Sequence, residues 1–160
     1  MKKIVVLLLI VNVLFSCKDK GSEPEALKST LEYLSGTGTK KWMVTGGKAN
    51  LNGLELPLLS QPPCITDNIL ALNKNLTYEL SEGATNCKPG IDPEIIVKSI
   101  WSISEAPKSI TIDKFIFLGY SVDKPVFAIS KIDDKEFIGE TNVKISGKDY
   151  LATITFTAIK

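Results

Sequence analysis

The chain has 160 residues, enough for one domain with a genuine core. Its 19 basic and 18 acidic residues nearly cancel, which argues against a basic face for nucleic acid. Every basic residue is lysine; without arginine or histidine there is no guanidinium fork for phosphate and no imidazole to serve as general base or metal ligand.

The first element is a leader. Lys2 and Lys3 precede an apolar run from Ile4 to Phe15. That run is too short for a membrane span, which takes about 20 residues, but it fits a signal-peptide core. Leu14-Phe15-Ser16-Cys17 has the form of a bacterial lipobox, in which Cys17 becomes the lipidated first residue of the mature protein. Acyl chains such as palmitate, more than one per anchor, hold a protein stably on a membrane it does not cross. The expected partition is therefore residues 1–16 as signal peptide, 17–24 as a lipidated polar tether and 25–160 as the folded domain. Loss of Lys2 and Lys3 with the leader turns the net charge of +1 into −1. Lys18 stands where an inner-membrane retention signal would place Asp, so the expected address is the outer membrane, on its periplasmic face or at the cell surface.

Ser22 to Glu25 has the form of a capping box with Pro24 early in the turn, and Leu27, Leu31 and Leu34 then fall on one helical face. Gly36 is the expected stop. From Lys40 onward the apolar period is two. Leu76, Tyr78 and Leu80 share a face, as do Trp101 with Ile103 and Ile110 with Ile112; Tyr150, Ala152, Ile154, Phe156 and Ala158 form the longest such series. Alternation of this kind marks antiparallel strands with one buried face. Turn signals at 52–53, 73–75, 105–109, 121–125, 132–136 and 146–149 separate roughly eight to ten strands. The segment 86–97 is the longest non-alternating connection, and 46–63 also reads as a working loop. "FIFLGY" at 115–120 is apolar on both faces, fitting a strand covered by the leucine helix or the rim of a cavity. The pattern fits a closed barrel or a two-sheet sandwich and does not choose between them.

There are three cysteines. With Cys17 assigned to lipid, Cys64 and Cys87 are an even pair in an oxidising compartment. A structural zinc site takes about four closely spaced ligands, and a redox pair is usually CxxC; neither pattern is present. A disulfide is the expected state, contributing roughly 3 kcal/mol through loop closure.

The lipobox, the short leucine helix and "GTGTKKW" leading to Trp42 occur in order with "CITDNILALNKNLTYEL", "EGATNC", "WSIS" and "VFAISKIDDKEFIG". Together they resemble the small lipocalin-like lipoproteins of Gram-negative bacteria, over nearly all of the mature chain. The resemblance implies an all-β, antiparallel up-and-down barrel preceded by a short helix, and it supports the Cys64–Cys87 pairing. It supplies no substrate.

Composition argues against catalysis. Asp133, Asp134 and Glu136 are the densest acidic group, but interleaved Lys131 and Lys135 mark a solvated hairpin tip. No GxSxG elbow is present, and no cofactor is implied. An eight-stranded barrel either fills with side chains or holds one small ligand. In the second case Tyr78, Trp101, Phe127, Ile129, Ile154 and Phe156 are the expected ligand-facing residues of a monomeric binding protein for a small apolar or amphipathic molecule. In the first case the barrel is a non-enzymatic interaction module that meets a protein or glycan through its loops. One consequence is independent of that choice: Cys17→Ala should move the protein from the membrane to the soluble fraction, read by fractionation.

Overall fold

The computed structural model describes residues 28–90, 94–117 and 119–160. The expected leader and tether, Cys17, the expected cap at Ser22–Glu25 and Leu27 lie outside them. The first described element is a helix, α1 (Thr30–Ser35), and its cap is Ser29. The Ser29 hydroxyl accepts from the Glu32 backbone N–H while the Glu32 carboxylate accepts from the Ser29 N–H, a complete capping box later than the one read from sequence. Gly36, with φ of 62°, ends the helix where expected.

Eleven strands follow among the described residues: β1 (Thr39–Leu51), β2 (Leu54–Pro57), β3 (Ile69–Asn73), β4 (Thr77–Ser81), β5 (Ile95–Glu105), β6 (Lys108–Ile112), β7 (Lys114–Phe117), β8 (Tyr120–Asp123), β9 (Val126–Ile132), β10 (Glu136–Ile145) and β11 (Lys148–Ile159). Between β2 and β3 lie a 3-10 turn (Leu58–Ser60) and a short helix, α2 (Pro63–Thr66). Hydrogen-bonded neighbours run β1-β3-β4-β5-β6-β9-β10-β11, and β11 pairs back onto β1. The ring is a closed antiparallel eight-stranded barrel, not a sandwich. β2 extends the sheet outside the ring on β1, while β7 and β8 pair only with each other.

The period-two faces point into this ring: Tyr78, Leu80, Trp101, Ile110, Ile112, Ala152, Ile154 and Phe156 are buried. Leu76 is the exception. It sits in the β3–β4 turn with φ of 65° and is exposed, because the turn takes the residue that would have opened the strand. Much of the 46–63 segment is strand rather than loop, since β1 runs on to Leu51 and pairs with β2. The connection expected at 86–97 falls at 82–94, between the end of β4 and the start of β5 at Ile95.

β1 changes inward parity halfway along. Trp42 and Val44 pair with Ala158 and Phe156, then the register shifts so that Gly47 meets Ile154 and Ala49 meets Ala152. The extra residue, Thr45, is the bulge; its hydroxyl lies 2.6 Å from that of Thr157. Gly47 is required here. Its φ is 122°, and a Cβ would stand 2.2 Å from the Thr153 carbonyl oxygen.

α1 closes the lower end of the barrel. Leu34 is fully buried, and its carbonyl accepts from the Trp42 indole N–H at 2.8 Å. The Lys40 ammonium donates to the Tyr33 carbonyl at 2.8 Å, satisfying a second helix-end group. Thr30 bonds Glu105 at 2.6 Å, and Lys28 pairs with Asp134 at 2.7 Å, so the helix is fastened to two lower turns. Gly47→Ala should destabilise the barrel by about 1–3 kcal/mol through backbone strain and the carbonyl clash. A fall in the urea midpoint followed by tryptophan fluorescence checks this.

Candidate functional site

The opposite, upper end is closed by a bent hairpin. β6 and β7 are separated by Asp113 alone, and β8 and β9 by Lys124 and Pro125. At that level Lys124 N–H donates to the Asp113 carbonyl and Ile112 N–H to the Pro125 carbonyl. The Asp113 carboxylate accepts from Ser99 at 2.6 Å, and its N–H donates to Ile100, fastening the bend to β5. Proline has no N–H for the ladder, and Lys124 takes a φ of 47°, so regular pairing stops here. The β7–β8 tip leaves the wall and crosses the mouth.

Its inner face is what "FIFLGY" encodes. Phe115 and Phe117 are buried, while Tyr120 is exposed. Phe115 meets Phe127 at 5.4 Å and Phe156 at 6.2 Å, both edge-on. Phe156 stacks on Phe137 at 4.3 Å, and Phe137 meets Trp42 edge-on at 4.8 Å. An aromatic column thus runs from the α1-capped floor to the hairpin. Phe115, Ile116 and Phe117 border small crevices at this end of the barrel.

Tyr78 latches the hairpin. Its hydroxyl donates to the Lys114 carbonyl at 2.5 Å and accepts from the Lys114 N–H at 2.9 Å. The facing side of the mouth is held by the disulfide Cys64–Cys87, with Cα atoms 5.1 Å apart. Asp67 reinforces it by accepting from both the N–H and the hydroxyl of Thr85 at 2.8 Å. Gly83 lies so close that a Cβ there would be 2.1 Å from the Asp67 carbonyl oxygen. "CITDN" and "EGATNC" are therefore two halves of one clasp.

Between hairpin and clasp are two adjoining apolar crevices that share Val44, Ile65, Phe115 and Ile116. The outer one, about 30 Å³, adds Leu58 and Ile154 and has Gln61 and Thr66 at its rim. The inner one, about 20 Å³, adds Leu70, Leu80 and Phe156 and reaches Asn68. Among the described residues no charged side chain lines either. Outside, wider surface grooves of about 530 Å³ and 560 Å³ flank the hairpin, against β5 and β10.

Of the residues expected to face a ligand, Ile154 and Phe156 line these crevices. Tyr78 is buried as the latch. Trp101 is buried lower in the wall, its indole N–H shared between the Asn73 and Thr77 carbonyls. Phe127 belongs to the aromatic column, wedged against Gly139, and Ile129 is half-buried. Val44, Leu58, Ile65, Asn68 and Phe115 were not identified from alternation. Ile65 lies in the short helix α2 and Asn68 in the link from it to β3, and Phe115 reaches the crevices only because the hairpin bends. At the acidic tip, Asp133 accepts from the Lys135 and Glu136 backbone N–H groups, and Glu136 pairs with Lys131 at 2.9 Å. Those backbone donors hold the Asp133 carboxyl below its ordinary value, and hydrogen bonding from Lys28 does the same for Asp134.

Burial holds the Tyr78 phenol above its ordinary value, with the Lys114 backbone hydrogen bond opposing. The unfolded chain therefore loses this proton first, so the stability tied to neutral Tyr78 is intact below about pH 10 and falls as pH rises beyond it. Tyr78→Phe should cost about 1 kcal/mol at neutral pH. It should also speed amide exchange in β7 and flatten the alkaline fall in stability, read by denaturant titration across that range.

Comparison with protein-family models, with curated proteins and with solved structures finds no match in any of the three.

Proposed function

We propose that the protein is a lipid-anchored binding protein of the outer membrane, lipocalin-like in design, that takes a small apolar or amphipathic molecule at the upper mouth of its barrel. The observation that carries this reading is the pair of uncharged, adjoining crevices beneath a hairpin held largely from one side. β7 and β8 make no ladder hydrogen bonds to β5 or β10. Such a hairpin can be displaced without breaking the ring. The crevices themselves are water-sized, so uptake of a ligand requires Phe115 and Ile116 to move outward with the hairpin. The filled lower barrel favours the second reading, an interaction module working through its upper loops, if that displacement does not occur.

Native mass spectrometry of the protein purified with its disulfide intact tests the reading. An excess mass that leaves on denaturation, or uptake of an offered fatty alcohol, fatty acid or quinone, is the expected result. Phe115→Ala should increase uptake, since it empties part of the mouth, while lowering stability by about 3–5 kcal/mol. A bare mass with no uptake by either form would turn attention to the loops.

A further inference from the structure

The β1–β2 hairpin turns at Asn52-Gly53, and both residues are exposed. Asn52 has φ of 52° and Gly53 φ of 87°, the left-handed pair of a two-residue type I′ turn between Leu51 and Leu54. Asn52 is the only asparagine in the sequence that glycine follows. That dipeptide is chemically reactive, because no side chain on glycine crowds the approach of its backbone nitrogen to the asparagine carboxamide. In the folded protein the nitrogen is engaged. Gly53 N–H donates to the Asn50 side-chain oxygen Oδ1 at 3.0 Å. Lys48 pairs with Glu55 across the same hairpin, a weak exposed tie that also favours the closed turn.

We propose that Asn52 is a site of spontaneous deamidation and that Asn50 is the residue that restrains it. Water is the one co-reactant. The Gly53 nitrogen bonds to Asn52 Cγ and gives up its proton, the Cγ–Nδ2 bond breaks, and Nδ2 leaves with that proton as ammonia. The five-membered succinimide then takes up water. Opening at Cγ leaves aspartate; opening at the backbone carbonyl leaves isoaspartate, whose main chain runs through the β-carbon. In sum an amide and water become a carboxylic acid and ammonia, with nothing oxidised or reduced. While Asn50 holds the Gly53 N–H, cyclisation has to break that hydrogen bond first, so the rate follows the opening of the turn.

The position of the turn gives the modification a structural consequence. β2 pairs with β1 alone, Leu54–Pro57 against Lys48–Leu51. Isoaspartate adds one main-chain atom to the turn that sets this register. Leu58, the residue after β2, is buried and packs beside Gly47. Loosening of β2 therefore reaches the core through Leu58.

Full-length protein with its disulfide intact is incubated in mildly alkaline buffer, and deamidation is followed by peptide mapping with fragmentation that separates isoaspartate from aspartate. Conversion should concentrate at Asn52, with isoaspartate the major product, and run much more slowly than in the same chain unfolded in urea. Asn50→Ala should speed it roughly three- to tenfold, as loss of one hydrogen bond allows. Asn50→Asp keeps an acceptor for the Gly53 N–H and should stay near the unaltered rate. The isoaspartate form, separated by chromatography, should show faster amide exchange in β2. Should Asn50→Ala fold poorly, Asn50→Asp against the unaltered protein and folded against unfolded chain still decide. Conversion chiefly at another asparagine, or equal rates at Asn52 in folded and unfolded chain, overturns the restrained site. Acceleration by Asn50→Asp as large as by Asn50→Ala, or none by either, overturns the role of Asn50. Unchanged exchange in β2 overturns the structural consequence.

Discussion

The pairing of β1 with β11 is the constraint on which the rest of the molecule depends. It joins Lys41–Asn50 to Leu151–Ile159, the two ends of the domain, and converts a long sheet into a ring. Closure removes two open edges at once, which no local hairpin can do. It also carries the largest loop-closure cost in the fold, because nearly the whole domain lies between the partners. The Thr45 bulge and Gly47 are the local means. The bulge turns β1 so that Trp42 and Val44 below it, and Gly47 and Ala49 above it, all face inward. Gly47 then allows the backbones and Leu58 to come close.

Once the ring is closed, its interior has to be filled, and the two ends are filled differently. The lower half is packed by Trp42, Phe137, Phe156 and Phe127, with α1 as floor. Trp42 and Lys40 bond helix-end carbonyls there, and Thr30 and Lys28 bond Glu105 and Asp134 of neighbouring turns. The upper end is filled by a segment borrowed from the wall. Bending at Asp113 and at Lys124-Pro125 removes β7 and β8 from the ring and delivers Phe115 to the top of the aromatic column. The wall is left thinner there, with grooves on both sides of the hairpin. The hairpin is held at this place by Tyr78, whose hydroxyl bonds both backbone groups of Lys114.

The clasp opposite explains the two most distinctive sequence strings in physical terms. Cys64 and Cys87 provide the covalent tie, Asp67 and Thr85 the polar one, and Gly83 the close approach. Together they hold Ile65 and Asn68 against the mouth. A clasp tied by a disulfide thus faces a hairpin whose strands pair only with each other.

Much of the architecture was legible in the residues themselves. Alternation in "YLATITFTAI" and "SITID" requires a sheet with one buried face, because the side-chain period of a strand is two and apolar side chains must leave water. Pairing of Cys64 with Cys87 followed from chemistry, there being no other ligand or redox pattern for them to serve. Ring closure, the bulge that switches parity in β1 and the bend that brings Phe115 onto the aromatic column were decided only in three dimensions. Each depends on contacts between segments far apart in the chain, and local periodicity records which face a residue takes, not what stands opposite it.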